Sequence, residues 1–202
     1  MGSHVKCAVL GGPYVGKTSC IQSYVNNKSD LKKFEGEDVV IDYFSTSVKL
    51  DDGKEVNLHI WDPGRSEGSE RARISAYSQT DVIIIMFDVI RRDTLLDVES
   101  FWFREVNGHC PNTPLILVGT KVDLRKDKRY RKNATSYDDG ISLALKIKAR
   151  GYLECSSKTL NGIDTVFEEA VFTVLEPSKS GINQKQREKS EITLRQSCCI
   201  IL

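Results

Sequence analysis

The sequence predicts an α/β fold, a doubly wound and mostly parallel sheet of six strands with one antiparallel strand and helices on both faces. Two observations predict it. Short apolar runs that fit strands alternate with segments whose apolar residues recur at helical spacing. Two of the runs, 82–89 and 115–119, are almost continuously apolar, which is typical of strands covered on both faces. Such sheets bind ligands at the carboxyl ends of their strands.

The other four strands are expected at 5–10, at 152–155 and, as an antiparallel pair, within residues 39–61. The pair is antiparallel because Asp52-Gly53 between its two halves is a strong hairpin signal. With two more strands from the continuous runs, the sheet reaches six.

Four segments carry apolar residues at helical spacing. We expect Asp93-Thr94 to cap the second of these helices and Gly151 to end the third. The apolar residues of the four are Cys20, Ile21, Tyr24 and Val25; Leu95, Val98, Trp102 and Val106; Leu143, Ala144 and Ile147; and Ile163, Val166, Phe167, Ala170, Val171, Val174 and Leu175.

Composition excludes several classes of protein. The chain has 202 residues with 29 Lys+Arg against 28 Asp+Glu, which argues against nucleic-acid binding through bulk positive charge. Its longest apolar run, Val82–Phe87, is far shorter than the roughly 20 residues of a membrane span, and no signal peptide is apparent. Six irregularly spaced Cys indicate free thiols in a reducing cytosol. We expect a globular domain over 5–176 and a polar tail over 177–202.

A phosphate-binding loop follows the first strand. The segment Gly11-Gly12-Pro13-Tyr14-Val15-Gly16-Lys17-Thr18, with Ser19 next, matches the pattern G-x-x-x-x-G-K-[ST] between a strand and a helix. Backbone N–H groups of such a loop cradle phosphates. Lys17 is expected to reach the β- and γ-phosphates, and Thr18 to bind Mg²⁺.

Two further motifs at strand ends predict base recognition. Thr120-Lys121-Val122-Asp123 supplies a carboxylate, Asp123, that accepts two N–H bonds from guanine, and a lysine stem that lies along the base. Adenine does not offer that donor pair. Cys155-Ser156-Ser157 ends the next strand and presents backbone N–H groups to the base oxygen.

With these motifs the chain resembles a Ras-superfamily small GTPase, a P-loop G-domain, and within it most closely the Rho/Rac branch. Beyond the loop, the residues that carry the resemblance are Trp61-Asp62, 79–82, 110–124, 152–156 and the last four residues. The resemblance implies GTP/GDP and Mg²⁺, the metal held by Thr18 and, through water, Asp62. It also implies effectors bound through segments 34–46 and 62–78, exchange factors, a GDP-dissociation inhibitor and a monomer.

The chain departs from this family where hydrolysis takes place. The spacing from Asp62 to Asp81 matches the family without a gap, so Arg65 stands at the switch glycine and Ser66 at the catalytic glutamine. Serine is too short to orient the attacking water. A shifted alignment that gives Gly64 the glycine role still supplies no glutamine. Lys17 and the degenerate Ser66 are therefore the catalytic candidates, and we expect weak or absent hydrolysis.

The first switch and the phosphate loop depart as well. No threonine lies between Asn27 and Tyr43, and the best alignment puts Val39 at the metal-binding threonine, with Asp38 or Glu37 as substitute oxygen ligands. Pro13 replaces a glycine and crowds the space that an arginine finger uses, and Tyr14 adds bulk beside it.

The C-terminus predicts a lipid anchor. Cys199-Ile-Ile-Leu202 is a C-a-a-X box whose final leucine indicates geranylgeranylation, and Cys198 is a candidate for palmitoylation. The tail's five basic residues are diluted by Glu188 and Glu191 into a weak polybasic patch. We expect the cytoplasmic face of membranes with a cytosolic pool. The basic segment 125–136, shorter than the usual Rho insert, is expected to be a solvated loop.

Three functions stay open at this point. One is a slow but genuine GTPase switch that exchange factors reload. The second is a GTPase-deficient pseudo-GTPase that acts as a constitutively loaded interaction module. The third, more remote, is an ATP-using P-loop enzyme, against which Asp123 argues.

Overall fold

A computed structural model describes residues 3–26, 42–50, 53–63 and 70–175. Within these residues the sheet has six strands in the order β2-β3-β1-β4-β5-β6. Only β2 runs antiparallel, against β3, and every other neighbouring pair is parallel. The predicted fold class is confirmed. The strands are β1 (Ser3–Leu10), β2 (Asp42–Lys49), β3 (Glu55–Asp62), β4 (Val82–Asp88), β5 (Leu115–Thr120) and β6 (Gly151–Glu154).

The helices cover both faces of this sheet, as expected. A π-helical turn, Val98–Trp102, joins α3 to α4, and a 3₁₀ turn follows β5. The helices are α1 (Lys17–Asn26), α2 (Glu70–Tyr77), α3 (Arg92–Asp97), α4 (Phe103–His109), α5 (Tyr137–Lys146) and α6 (Ile163–Leu175).

Strand β4 shows how the core divides into two layers. Its side chains alternate between the faces, as strand geometry requires. Val82, Ile84 and Met86 pack in the cluster under α1 and α6. The alternate residues, Ile83, Ile85 and Phe87, pack in the cluster under α3, α4 and α5. Because both faces are buried, the strand is a continuous apolar run that ends in a polar residue, Asp88.

Two predicted helix boundaries are wrong. Helix α5 ends at Lys146, and Lys148 takes the left-handed conformation after it (φ +55°), so Gly151 is not its stop but opens β6. Helix α3 begins at Arg92, so Asp93 and Thr94 lie inside its first turn rather than at its cap.

Thr94 has another use. Its hydroxyl accepts from the Asp88 backbone N–H at 3.0 Å and donates to the Arg91 carbonyl at 2.7 Å, so it holds the turn after β4. Among the residues that the structure describes, no helix is long and apolar enough to span a bilayer. Cys7, Cys20, Cys110 and Cys155 are all free thiols.

Candidate nucleotide-binding site

The loop Gly11–Thr18 has the backbone shape that its glycines predict. Gly11 has φ +141°, and a Cβ on it would meet the Met86 carbonyl oxygen of β4 at 2.2 Å. Gly16 has φ +100°. Neither position suits an L side chain. Val15 in the middle of the loop is fully buried in the core, while Pro13 and Tyr14 beside it are exposed.

Lys17 lies folded over this loop. Its Nζ donates to the carbonyl oxygens of Gly11 at 2.8 Å and of Gly12 at 3.0 Å, although the residue is almost wholly buried. These contacts hold the ammonium group at the rim of the loop, close to the backbone N–H groups that would face an anion. A buried cation at a helix N-terminus suits a phosphate.

Thr18 and Asp62 converge from α1 and the end of β3. The Thr18 hydroxyl donates to an Asp62 carboxylate oxygen at 2.5 Å, and Asp62 is completely buried. The sequence places these residues 44 positions apart, and the parallel pairing of β1 with β3 brings them together.

Thr120 joins the phosphate loop, Gly11–Thr18, to the segment 120–123 at the end of β5, which we call the base-recognition loop after its predicted role. It is buried at the end of β5, where its hydroxyl shares its proton between the Val15 carbonyl at 2.5 Å and the Phe87 carbonyl at 2.9 Å. A single side chain thus fixes the distance between the two halves of the site.

Lys121 makes a second link between the halves. It adopts the left-handed conformation (φ +59°), and its Nζ donates to the Tyr14 carbonyl and to an Asp88 carboxylate oxygen, both at 2.7 Å. Asp88 is buried, and its other oxygen accepts from the Ile90 backbone N–H at 3.0 Å. The Lys121 ammonium group is therefore held by two acceptors, which places its stem beside the predicted base site.

Asp123 is oriented by the loop after β6. The Ser156 hydroxyl donates to Asp123 Oδ1 at 2.7 Å and accepts from the Thr159 N–H at 3.2 Å. Ser156 itself is fully buried. A carboxylate fixed in this way is suited to accept the paired N–H groups of a guanine.

A family model described as the Ras family matches residues 6–176. The chain belongs to the Ras family. Membership makes it a GTP-binding small GTPase of a class that in general hydrolyses GTP and generally uses Mg²⁺. The match covers the whole described sheet except the first residues of β1.

The donor set fits Mg²⁺ in the Ras-family manner. Mg²⁺ prefers oxygen ligands and is held by one or two protein groups together with substrate phosphates and water. Thr18 and Asp62 supply one hydroxyl and one buried carboxylate within hydrogen-bond distance of each other. In the described part of the chain, no cluster of three His, Cys, Asp or Glu forms an all-protein metal cage. The residues present therefore match a metal that arrives with a nucleotide.

The remaining sequence-predicted residues lie around the same edge of the sheet. Ser19 is exposed on α1. The Ser157 carbonyl accepts from the Ser23 hydroxyl at 3.4 Å. Cys155 is buried with its Sγ 3.7 Å from that of Cys20, and this hydrogen bond, together with burial, raises the pKa of the Cys155 thiol. Both thiols are buried in the core cluster under α1 and α6.

Several predicted residues lie outside the described part of the chain. These are Arg65 and Ser66 of the second switch, Val39 with Asp38 and Glu37 of the first, and Cys198 and Cys199 of the tail. Their assigned roles stay predictions.

Sequence reasoning missed Asp88. The sequence does indicate a functional position there. Asp88 directly follows the apolar run of β4, and ligands bind at that end of the strands in such sheets. Its partner, Lys121, comes from the neighbouring strand end, so the pair becomes apparent only when β4 and β5 are placed side by side.

Proposed function

We propose that this Ras-family chain binds guanine nucleotide with Mg²⁺, turns GTP over weakly or not at all, and acts as a Rho-like signalling protein that engages effectors at membranes. The contact that supports the binding half most directly is the Thr120 hydroxyl, which ties the phosphate loop to the base loop through Val15. Both halves of a nucleotide site are thus kept in one fixed arrangement.

Guanine is the base that the site favours. Ser156 fixes one oxygen of Asp123, and Lys121 is held alongside. Adenine has no donor pair for this carboxylate, so ATP should compete for the site far more weakly than GTP. Equal competition by ATP against bound fluorescent GDP would favour the ATP-using P-loop enzyme instead.

The hydrolytic half of the proposal rests on sequence. Ser66 stands at the position of the glutamine that orients the attacking water, and Arg65 at the position of the switch glycine. Val39 replaces the threonine that completes the metal shell and senses the γ-phosphate. A valine methyl does not ligate a cation.

Single-turnover hydrolysis of bound GTP tests this half. The unmodified chain should hydrolyse GTP far more slowly than an ordinary small GTPase, and the double variant Arg65→Gly/Ser66→Gln should hydrolyse it faster. Asp81→Asn is a control, because this exposed residue just before β4 accepts a hydrogen bond from the Lys6 backbone N–H, at the opposite end of the strand from the predicted phosphate site. Ordinary-rate hydrolysis by the unmodified chain would instead support a genuine GTPase switch reloaded by exchange factors.

Partners are expected through segments 34–46 and 62–78. Parts of these segments are described, including most of β2 and all of α2, where Ile74 is exposed. Next to Ile74, Arg73 forms two hydrogen bonds of 2.9 Å to Glu105, and these bonds anchor α2 to α4. We propose that effectors, exchange factors and a GDP-dissociation inhibitor recognise this side of the domain. Capture of partners by the GTP-loaded but not the GDP-loaded form tests it.

We also propose that the chain attaches to the cytoplasmic face of membranes through geranylgeranylated Cys199, with Cys198 as a palmitoylation site. The C-a-a-X pattern supports the first modification. One lipid chain holds a protein only marginally, so a second signal is expected. Mass spectrometry of the C-terminal peptide from eukaryotic cells, with Cys199→Ser as control, tests the modification.

A further inference from the structure

A group of basic side chains lies on the surface next to the base-recognition loop. Residues 125–132 contain six Lys or Arg and a single acid, in a chain whose total charges nearly cancel. The five that are exposed are Lys126, Lys128, Arg129, Arg131 and Lys132. We call these five, together with Arg91 and Arg92, the basic surface.

The segment that carries them is firmly attached to the domain. Arg125 turns inward and forms a double hydrogen bond with the Glu154 carboxylate at the end of β6, one of its bonds being 2.6 Å. Its Nε donates to the Thr135 carbonyl at 3.0 Å, and the Thr135 N–H donates to the Val89 carbonyl at 2.7 Å. Because one end is bonded to β6 and the other to the turn after β4, the basic side chains project from a segment held at both ends and lose less backbone entropy on binding.

The turn after β4 extends this surface. Arg91 and Arg92 line a cavity of about 570 Å³ together with Lys132, and Ile90, Asp93 and Asn133 complete the lining. The cavity therefore joins the two chain segments into one cationic area.

Only part of this positive charge is compensated. Arg91 pairs with Asp93 at 3.3 Å, Arg92 with Asp139 at 3.4 Å, and Arg129 with Asp127 at 2.6 Å. The other four, Lys126, Lys128, Arg131 and Lys132, have no ion-pair partner within the part of the chain that the structure describes. Four uncompensated charges on one surface produce a positive field toward solvent.

We propose that the basic surface contacts the anionic lipid headgroups of a membrane. This inference rests on the membrane attachment proposed above, because a single prenyl chain needs a second signal and the tail's own positive charge is weak. Each Lys or Arg that reaches an anionic leaflet strengthens binding about fivefold.

Two features favour a lipid surface over an acidic protein. Apart from the methylene stems of Lys and Arg, residues 125–133 carry no aliphatic side chain. Protein interfaces, in contrast, have an apolar centre. Their one aromatic residue, Tyr130, lies 5.3 Å from the Arg129 guanidinium and is of the type enriched at membrane–water boundaries.

The length of chain beyond α6 permits this orientation. Residues 176–199 have a contour length of up to about 80 Å. A domain of this size has a diameter of roughly 40 Å. A lipid on Cys199 therefore does not restrict which side of the domain meets the bilayer.

The test measures binding of the unprenylated full chain, loaded with GDP, to sedimented vesicles. Phosphatidylcholine vesicles are compared with phosphatidylcholine vesicles that contain phosphatidylserine. The triple variant Lys128→Gln/Arg131→Gln/Lys132→Gln removes three uncompensated charges of the basic surface. Its matched control, Arg104→Gln/Lys148→Gln/Arg150→Gln, removes three exposed charges away from it.

We expect the unmodified chain to bind only the anionic vesicles, and more weakly as salt is raised. The basic-surface variant should bind them at least tenfold more weakly, while the control changes less than twofold. Both variants should release fluorescent GDP at the unmodified rate, which shows that the domain is intact.

Several outcomes would overturn the inference. Equal losses in the two variants would mean that only total charge matters, and no binding to anionic vesicles would remove the lipid partner. Binding to polyglutamate without binding to vesicles would indicate an acidic protein instead. Prenylated protein that binds as well with the triple substitution as without it would also contradict the basic surface, while leaving the proposed lipid anchor intact. Failure of the anchor would appear separately, as no gain of vesicle binding on prenylation.

Discussion

Replacing Thr120 by valine should separate the two halves of the nucleotide site without changing the shape of the core. Valine keeps the branched side chain but removes the hydroxyl that serves both the Val15 and the Phe87 carbonyls. The position is 1% exposed, so water does not replace the lost donor. A buried polar group left without its partner costs about 1 to 3 kcal/mol. The unfolding free energy should fall by that amount.

The same change should speed nucleotide release. We expect the bond to stabilise the nucleotide-bound form more than the empty one, and a difference of about 1 to 3 kcal/mol corresponds to roughly 5- to 150-fold weaker GDP binding. Dissociation of fluorescent GDP by stopped flow measures this, and chemical denaturation measures stability. The matched control is Thr80→Val, which removes a buried hydroxyl bond of 2.6 Å to the Ala76 carbonyl outside the nucleotide site. The control should lose stability but keep its GDP release rate. Release from Thr120→Val within twofold of the unmodified rate would refute the tether.

Three further changes test other parts of the structure. Asp88→Asn removes the buried charge that holds Lys121, so GDP release should be about tenfold faster, since a charge-assisted bond is lost; an unchanged rate would contradict that role. Gly11→Ala places a Cβ 2.2 Å from a backbone carbonyl and should destabilise the fold by at least about 2 kcal/mol, whereas Gly108→Ala, which meets nothing within 4 Å, should not. Burial alone would raise the pKa of Glu105, but hydrogen bonds from α2 hold it below its ordinary value of 4.5. The stability from this contact is present above that value and is lost as pH falls through the lower folded-state pKa. The melting temperature of Glu105→Gln should therefore fall less steeply below pH 4.5 than that of the unmodified chain, and equal slopes would contradict the contact.

The elements that could be predicted from sequence are those whose apolar residues follow a clear pattern or that lie next to a strong turn signal. All six strands could be predicted because buried parallel strands are continuous apolar runs and the antiparallel pair flanks Asp52-Gly53. Helix α2 was missed because its residues, Glu70–Tyr77, present few apolar side chains at helical spacing. Its position depends instead on a long-range contact, between Arg73 and Glu105. No local pattern contains that information.

The two wrong helix boundaries have local causes. Lys148 adopts a positive φ that sequence reasoning reserves for glycine, which moved the expected end of α5 to Gly151. The capping box of α5 was also missed, although Ser136 and Asp139 stand at the required spacing. Threonine is a residue type that often caps helices, but the Thr94 hydroxyl bonds instead to the backbone of Asp88 and Arg91 in the turn after β4.

The motifs of the candidate site could be recognised from the sequence because they are short and lie at strand ends, and the roles assigned to their residues stay predictions. What sequence could not supply is the connection between motifs. The bonds from Thr120 to Val15 and from Lys121 to Asp88 join segments that are 105 and 33 residues apart. Such contacts follow from the order of strands in the sheet rather than from any one motif.

We propose that this protein holds its nucleotide rather than timing a signal by hydrolysis. The most direct measurement is the identity of the nucleotide that co-purifies with the Mg²⁺-loaded protein, obtained by denaturing it and separating the released nucleotide by ion-exchange chromatography. We predict mostly GTP, because the proposal places Ser66 at the position of the glutamine that orients the attacking water, and a serine is too short for that role. Mostly GDP would contradict this, since the site would then hydrolyse GTP without that residue.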